Sequence, residues 1–147
     1  MSDTIFKGCG TALLTPFKED LSIDYDAYAR LVERQVESGV DFLVPLGTSA
    51  ETPTLSREEK RKILSTTREH AHGRALLVGC GSNSVDATLE NMELLEDADA
   101  FLVVVPFYNK PTQEGIYLYY KALAEKSRKP IIMYNVPGRT GVNMSAS

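Results

Sequence analysis

Polar side chains that could bind a small organic acid are concentrated in a few short segments of the chain. Thr48 and Ser49 follow a glycine, and their hydroxyls with the neighbouring backbone N–H groups could hold a carboxylate. Tyr108 and Tyr134 supply phenols, which relay protons if a basic neighbour lowers their pKa from about 10. Arg139 offers a planar fork suited to bidentate binding of a carboxylate. Each residue alone is more typical of a turn, a packing contact or a surface charge. The prediction of a site for a small organic acid therefore depends on their shared location.

These residues follow short β-branched segments that alternate with amphipathic segments. We predict five strands, at Cys9–Leu14, Phe42–Leu46, Ala75–Gly79, Ala100–Val105 and Pro130–Asn135. Consecutive strands begin roughly 30 residues apart, which is the length of one strand–helix unit. Apolar residues at helical spacing indicate three helices. These residues are Tyr28, Leu31, Val32 and Val36 for the first helix, Val85, Leu89, Met92 and Leu95 for the third, and Ile116, Tyr119, Tyr120 and Leu123 for the fourth.

The second helix has a weaker apolar face but a clear start. Ser56 is followed three residues later by Glu59, which predicts a capping box. Gly39 and Gly73 stand where helix-terminating glycines are expected. The chain therefore alternates strands with helices throughout.

Strict alternation with apolar central strands predicts an α/β fold with a parallel sheet. Two architectures remain open at this point: a doubly wound sheet, and part of a closed (β/α)8 barrel, which needs about 250 residues. In both, the loops after the carboxyl ends of the strands form the functional edge, and the polar segments named above all lie there. Residues 1–147 show no linker or second domain.

Composition excludes several classes of protein. Sixteen Lys and Arg against twenty Asp and Glu give a formal net charge of −4 and a pI near 5.2, which argues against nucleic-acid and membrane-surface partners. No apolar segment approaches the ~20 residues of a membrane helix. Cys9 and Cys80 both fall in strand-like segments, so we expect reduced, buried thiols and a cytoplasmic location.

Other motifs are weak. The segment Gly79–Ser84 approaches a dinucleotide-binding fingerprint, but it lacks the last glycine and the acidic residue that should close the following strand. His70 and His72 are two residues apart and would not face each other on a helix, so a metal site is not favoured. With only two histidines, a Ser-His-Asp triad is also poorly supported.

Four segments follow one another along the chain: Gly10–Phe17, Leu46–Glu51, Pro106–Gly115 and Tyr134–Gly141. In this order they closely resemble the dihydrodipicolinate synthase (4-hydroxy-tetrahydrodipicolinate synthase) family. These enzymes are pyruvate-dependent class I aldolases, a class that includes N-acetylneuraminate lyase. The resemblance implies a (β/α)8 barrel. It also implies condensation of pyruvate with aspartate semialdehyde through a Schiff base, a step of lysine and diaminopimelate biosynthesis, with no separate cofactor and no metal.

The resemblance further implies a role for each candidate residue. Thr48, Tyr134 and Tyr108 would form a proton-relay triad, with Tyr108 reaching the site of a neighbouring subunit. Thr48 and Ser49 would bind the carboxylate of pyruvate, and Arg139 would receive the carboxylate of aspartate semialdehyde. The full-length protein would then be a homodimer or homotetramer.

The Schiff-base lysine of that family stands on a sixth strand, beyond the last strand predicted here. We therefore expect residues 1–147 to be the N-terminal portion of a single barrel domain, truncated before the sixth strand and inactive alone. The first and last strands would then be open edges, and the interior face of the sheet would be exposed. Two alternatives stay open: another pyruvate-dependent aldolase acting on a sugar acid, and a non-catalytic barrel fragment that binds a carboxylate or a partner.

Overall fold

Five parallel strands form one sheet whose spatial order follows the chain. The computed structural model describes residues 6–146. The strands are β1 (Gly10–Ala12), β2 (Phe42–Val44), β3 (Ala75–Gly79), β4 (Ala100–Val104) and β5 (Ile131–Tyr134). Every neighbouring pair is parallel and the order is β1-β2-β3-β4-β5. A doubly wound sheet reverses its strand order at a switch point, whereas barrel strands follow one another, so the order favours the barrel alternative.

Helices separate the strands as predicted. Their bounds are α1 (Tyr25–Glu37), α2 (Arg57–His70), α3 (Val85–Leu94), α4 (Gln113–Lys126) and α5 (Pro137–Thr140). The capping box is confirmed, because the Ser56 hydroxyl accepts from the Glu59 N–H at 3.2 Å while the Glu59 carboxylate accepts from the Ser56 N–H at 2.7 Å. The short helix α5 lies in a segment that we expected to be a loop. Its signal was a proline at the first position and a glycine at the end, Gly141, with φ of 73°.

Strand β2 is shorter than the predicted Phe42–Leu46, and the reason is local. Pro45 has no N–H to donate to the neighbouring strand, and Leu46 adopts a left-handed conformation with φ of 57°. The prediction was therefore wrong at that end, and the chain turns two residues earlier. The turn that carries Thr48 begins directly after it.

The main core lies between the sheet and the helices. It holds the outward side chains of the central strands, among them Leu43, Leu76, Val78, Phe101 and Val103. The opposite face of the sheet was expected to be exposed, and this was wrong for Val44, Leu77 and Ala100, which are buried in a second, smaller cluster. The Phe6 ring packs edge-on against the Phe42 ring at 5.1 Å between centroids beside that cluster, so these two rings help to cover the face.

The edges of the sheet are open within residues 6–146, as the sequence predicted. β1 and β5 each pair with one strand. On β5, Met133 is 54% exposed although it points to the helix side, in register with the buried Val103. The last strand described here is therefore covered on neither face as fully as its neighbours. No helix in the same range is both long and apolar enough to cross a membrane.

The two cysteines differ in environment. Cys80 is buried, as predicted, but Cys9 is exposed, so that part of the prediction was wrong. Cys9 immediately precedes β1, an edge strand that begins one residue later than expected. Burial raises the pKa of the Cys80 thiol to about 12.

We expect one fast-reacting thiol in the folded chain. At pH 8 a thiol with a pKa of about 12 is ionised in roughly one molecule in ten thousand, and burial also blocks access of a reagent to Cys80. Titration with a thiol-specific chromogenic reagent should therefore give one rapid equivalent, and two after unfolding in urea. The Cys9→Ser variant should lose the rapid equivalent. Rapid labelling of Cys80 in that folded variant would contradict the described burial.

Candidate functional site

A cavity of about 430 Å³ lies at the carboxyl edge of the sheet. Thr48, Tyr134 and Arg139 all line it. They come from three separate segments, after β2, at the end of β5 and on α5. The parallel sheet is what brings them together, because the carboxyl ends of parallel strands meet at one edge.

Ser49 and Tyr108 do not line this cavity. Ser49 lies beside Thr48 but is exposed. Tyr108 is 87% exposed and adopts a left-handed conformation with φ of 70°, while its neighbour Phe107 lines the cavity instead. The structure of a single chain thus separates the Tyr108 phenol from the other candidate residues.

The turn after β2 has an irregular backbone. Thr48–Ala50 forms one turn of 3-10 helix, and it is flanked by two left-handed residues that are not glycine, Leu46 with φ of 57° and Glu51 with φ of 54°. Within residues 6–146, the backbone N–H groups of Thr48 and Ser49 have no hydrogen-bond acceptor. Two adjacent free N–H groups beside a hydroxyl can donate hydrogen bonds to a carboxylate and so bind it.

Two other threonines bind the carbonyl groups of the same turn. The Thr15 hydroxyl, in the loop after β1, donates to the carbonyl oxygen of Ala50 at 2.8 Å. The Thr52 hydroxyl lies 3.0 Å from the carbonyl oxygen of Leu46 and 3.1 Å from that of Gly47, so its single hydrogen is shared between them. Neither residue was predicted from the sequence.

The wall that carries Tyr134 is fixed by sheet pairing. Tyr134 lies opposite Val104 on β4, and its carbonyl accepts from the Val105 N–H at 2.9 Å. Behind it, the buried Tyr120 hydroxyl donates to the carbonyl of Val103 at 2.8 Å. The phenol of Tyr134 is therefore held at the end of a paired strand rather than on a loop.

Lys60 is a cavity residue that was not predicted from the sequence. It lies in the first turn of α2 and lines the cavity together with Thr52 and Asn91. Partial burial lowers the pKa of the Lys60 ammonium, and the nearby Arg57 lowers it further. The sequence did contain a signal for this placement. The capping residue Ser56 marks the start of α2, and a helix that follows a parallel strand begins at the carboxyl edge of the sheet.

Among residues 6–146, no other lysine lines this cavity. Residues 6–146 contain no lysine within a strand. Lys129 lies at the opposite end of the sheet, where its ammonium donates to the carbonyls of Glu96 and Ala98. The same range contains no group of three or more His, Cys, Asp and Glu residues placed to hold a metal ion.

Comparison with known proteins identifies the fold and the family. Residues 5–147 match the model of the dihydrodipicolinate synthetase family. The chain belongs to this family. Among curated members, the 4-hydroxy-tetrahydrodipicolinate synthases of Phocaeicola vulgatus and Parabacteroides distasonis are 55% and 53% identical to it, over 99% of this chain and 50% of theirs. The chain thus spans about half the length of the curated family members it matches.

Solved structures of the family agree. The dihydrodipicolinate synthase of Thermotoga maritima superimposes with a TM-score of 0.92 at 47% identity, over 95% of this chain and 48% of that one. The enzyme of Acinetobacter baumannii, described as complexed with pyruvate, gives 0.92 at 42% identity, over 97% of this chain and 50% of that one. The expectation of a partial (β/α)8 barrel is thereby confirmed, and the doubly wound alternative is not supported.

Proposed function

We propose that this chain forms the pyruvate-binding part of a lyase that makes 4-hydroxy-tetrahydrodipicolinate from pyruvate and aspartate semialdehyde. The observation that carries the proposal is that Thr48, Tyr134 and Arg139 line one cavity at the carboxyl edge of the sheet in a member of this family. The complex of the Acinetobacter baumannii enzyme with pyruvate supports the choice of the first substrate. The reaction belongs to amino-acid biosynthesis in the cytoplasm.

The carboxylate of pyruvate binds at the Thr48 turn. The free N–H groups of Thr48 and Ser49 and the Thr48 hydroxyl supply hydrogen-bond donors, and charge-assisted bonds of this kind are the strong ones. The Lys60 ammonium adds a positive charge at the same cavity. The keto carbon of pyruvate is then directed at the space beside Tyr134.

Proton transfer uses the phenol of Tyr134 and the hydroxyl of Thr48. Both line the cavity, so both can reach a substrate bound there. Tyr108, the third member of the proposed relay, is too exposed to serve its own chain's cavity, which supports a site completed by a second copy of the protein in a homodimer or homotetramer.

Arg139 receives the carboxylate of aspartate semialdehyde at the exposed side of the cavity. Its guanidinium binds a carboxylate in a planar, bidentate manner. The covalent step needs an amine that forms an iminium with pyruvate. We assign this amine to a lysine outside residues 1–147, since no lysine of the described range stands on a strand. No other cofactor and no metal are required.

Two measurements on the isolated chain test this assignment. Pyruvate should bind weakly and shift the backbone amide signals of Thr48 and Ser49 in two-dimensional NMR spectra, and Thr48→Val should weaken the binding about tenfold, because a charged acceptor loses one hydrogen bond. Borohydride should trap no pyruvate adduct, as judged by intact mass.

The outcomes separate the alternatives. An adduct mapped to Lys60 would contradict an external amine, because that residue is the lysine that lines the cavity. Shifts produced by N-acetylneuraminate and not by pyruvate would favour a sugar-acid aldolase. No shift with either ligand would favour a non-catalytic role.

A further inference from the structure

The backbone of the Thr48 turn cannot hold its shape by local preference. Leu46 and Glu51 both have φ near 55°, a conformation that branched and long side chains rarely adopt. Such residues persist only where the surrounding structure over-determines them. The turn itself supplies two hydrogen bonds, from the Ala50 N–H to the Gly47 carbonyl at 3.1 Å and from the Glu51 N–H to the Thr48 carbonyl at 3.3 Å.

Two hydroxyls outside the turn add further constraints. Thr15 is 6% exposed and donates to the carbonyl of Ala50, which is itself 2% exposed. Thr52 donates to the carbonyls on the other side of the turn, those of Leu46 and Gly47. The carbonyl oxygens on both sides of Thr48 are thus bonded to threonines, and the Thr48 and Ser49 N–H groups stay without an internal partner.

We infer that Thr15 and Thr52 are positioning residues for carboxylate binding, acting through the Thr48 turn. The inference rests on the proposed function for the identity of the ligand, pyruvate, while the geometry of the turn is independent of that function. Thr15 does not line the cavity and acts only through the turn, whereas Thr52 lines the cavity and also bonds the turn. Each selects the backbone conformation in which the two free N–H groups and the Thr48 hydroxyl bind together.

The chain offers a near-isosteric test. Thr15→Val keeps the shape but removes the hydroxyl, which leaves the buried Ala50 carbonyl without a donor. If the binding-competent turn is then populated about one tenth of the time, the apparent Kd for pyruvate rises about tenfold. Thr15→Ser retains the hydroxyl and should bind within about threefold of the original chain. Thr52→Val should weaken binding in the same direction and replaces Thr15→Val if that variant does not fold.

Thr67→Val is the matched control. Thr67 is also a fully buried threonine whose hydroxyl donates to a backbone carbonyl, that of Ile63 at 2.7 Å, but it lies within α2 and packs against Tyr28. Its loss should lower stability and leave the Kd for pyruvate unchanged. A Kd that rises equally in Thr67→Val and Thr15→Val would overturn the inference, because the effect would then follow stability alone.

A second readout does not depend on pyruvate. The Cα and Cβ chemical shifts of Glu51 report its left-handed backbone, and they should move towards ordinary values in Thr15→Val but not in Thr15→Ser or Thr67→Val. Unchanged Glu51 shifts in Thr15→Val would overturn the inference. If no protein in the series binds pyruvate, the proposed function fails, while the Glu51 shifts still decide whether Thr15 positions the turn.

Discussion

Replacing Gly79 with alanine should destabilise the chain by about 3 kcal/mol, at the upper end of what overpacking usually costs. A Cβ added at Gly79 would lie 2.0 Å from the carbonyl oxygen of Leu46 and 2.9 Å from the backbone nitrogen of Gly47. Both obstacles are backbone atoms, so no side-chain rotation relieves the clash, and the Leu46–Gly47 segment after β2 must move away from β3. Urea unfolding followed by circular dichroism measures the change in the free energy of unfolding.

Gly138→Ala is the control for this variant. Within residues 6–146, apart from its chain neighbours and the backbone of α5 itself, no atom lies within 4 Å of a Cβ built at Gly138, which sits in α5. Alanine is favoured over glycine in a helix, so this variant should be neutral or slightly more stable. Equal stability of Gly79→Ala and the original chain would show that the backbone of Leu46 and Gly47 does not approach Gly79 this closely.

The same close approach connects stability with the site. Gly47 directly precedes Thr48, so any shift of the Leu46–Gly47 segment away from β3 displaces the turn whose N–H groups donate to the carboxylate. Gly79→Ala should therefore reduce pyruvate binding in the fraction that remains folded. Gly138→Ala should leave pyruvate binding unchanged. Although Gly138 neighbours Arg139, no described residue packs where its new methyl group would stand.

Sequence patterns predicted the elements of this fold well because each pattern has a direct physical cause. The apolar stripe that predicted α1 is buried at Tyr28 and Val32, and the Ser56 capping box forms as expected. Errors occurred where tertiary context decides. Cys9 belongs to an apolar-looking segment but precedes an edge strand, and edge residues have no second neighbour to bury them.

The site was predictable in position but not in detail. Parallel strands place their carboxyl ends at one edge, so Thr48, Tyr134 and Arg139 could be expected together from their strand assignments. Lys60 was not selected because it reaches the cavity from a helix, and Thr15 and Thr52 were not selected because their partners are backbone carbonyls. A hydrogen bond from a side chain to a backbone carbonyl depends on how the chain folds, and no pair of residue types in the sequence predicts it.

Replacing Tyr134 with phenylalanine should lower kcat by about 10²- to 10³-fold in a completed enzyme, a loss typical of removing a group that transfers protons. The side chain lines the cavity at the end of a paired strand, so the variant removes the hydroxyl and leaves the ring where it was. The chain can be completed by joining it to the remaining half of the Phocaeicola vulgatus relative, to which it is 55% identical. Steady-state rates with pyruvate and aspartate semialdehyde give kcat and KM separately.

Tyr117→Phe supplies the matched control, because that phenol is exposed on α4 and does not line the cavity. It should leave kcat unchanged, while Tyr134→Phe lowers kcat with KM for pyruvate altered only a few-fold, since the carboxylate binds at the Thr48 turn. A rise in KM with full kcat in Tyr134→Phe would assign the phenol to substrate binding. Full activity on both measures would remove Tyr134 from the proton relay, and the proton would then have to pass through Thr48 or solvent.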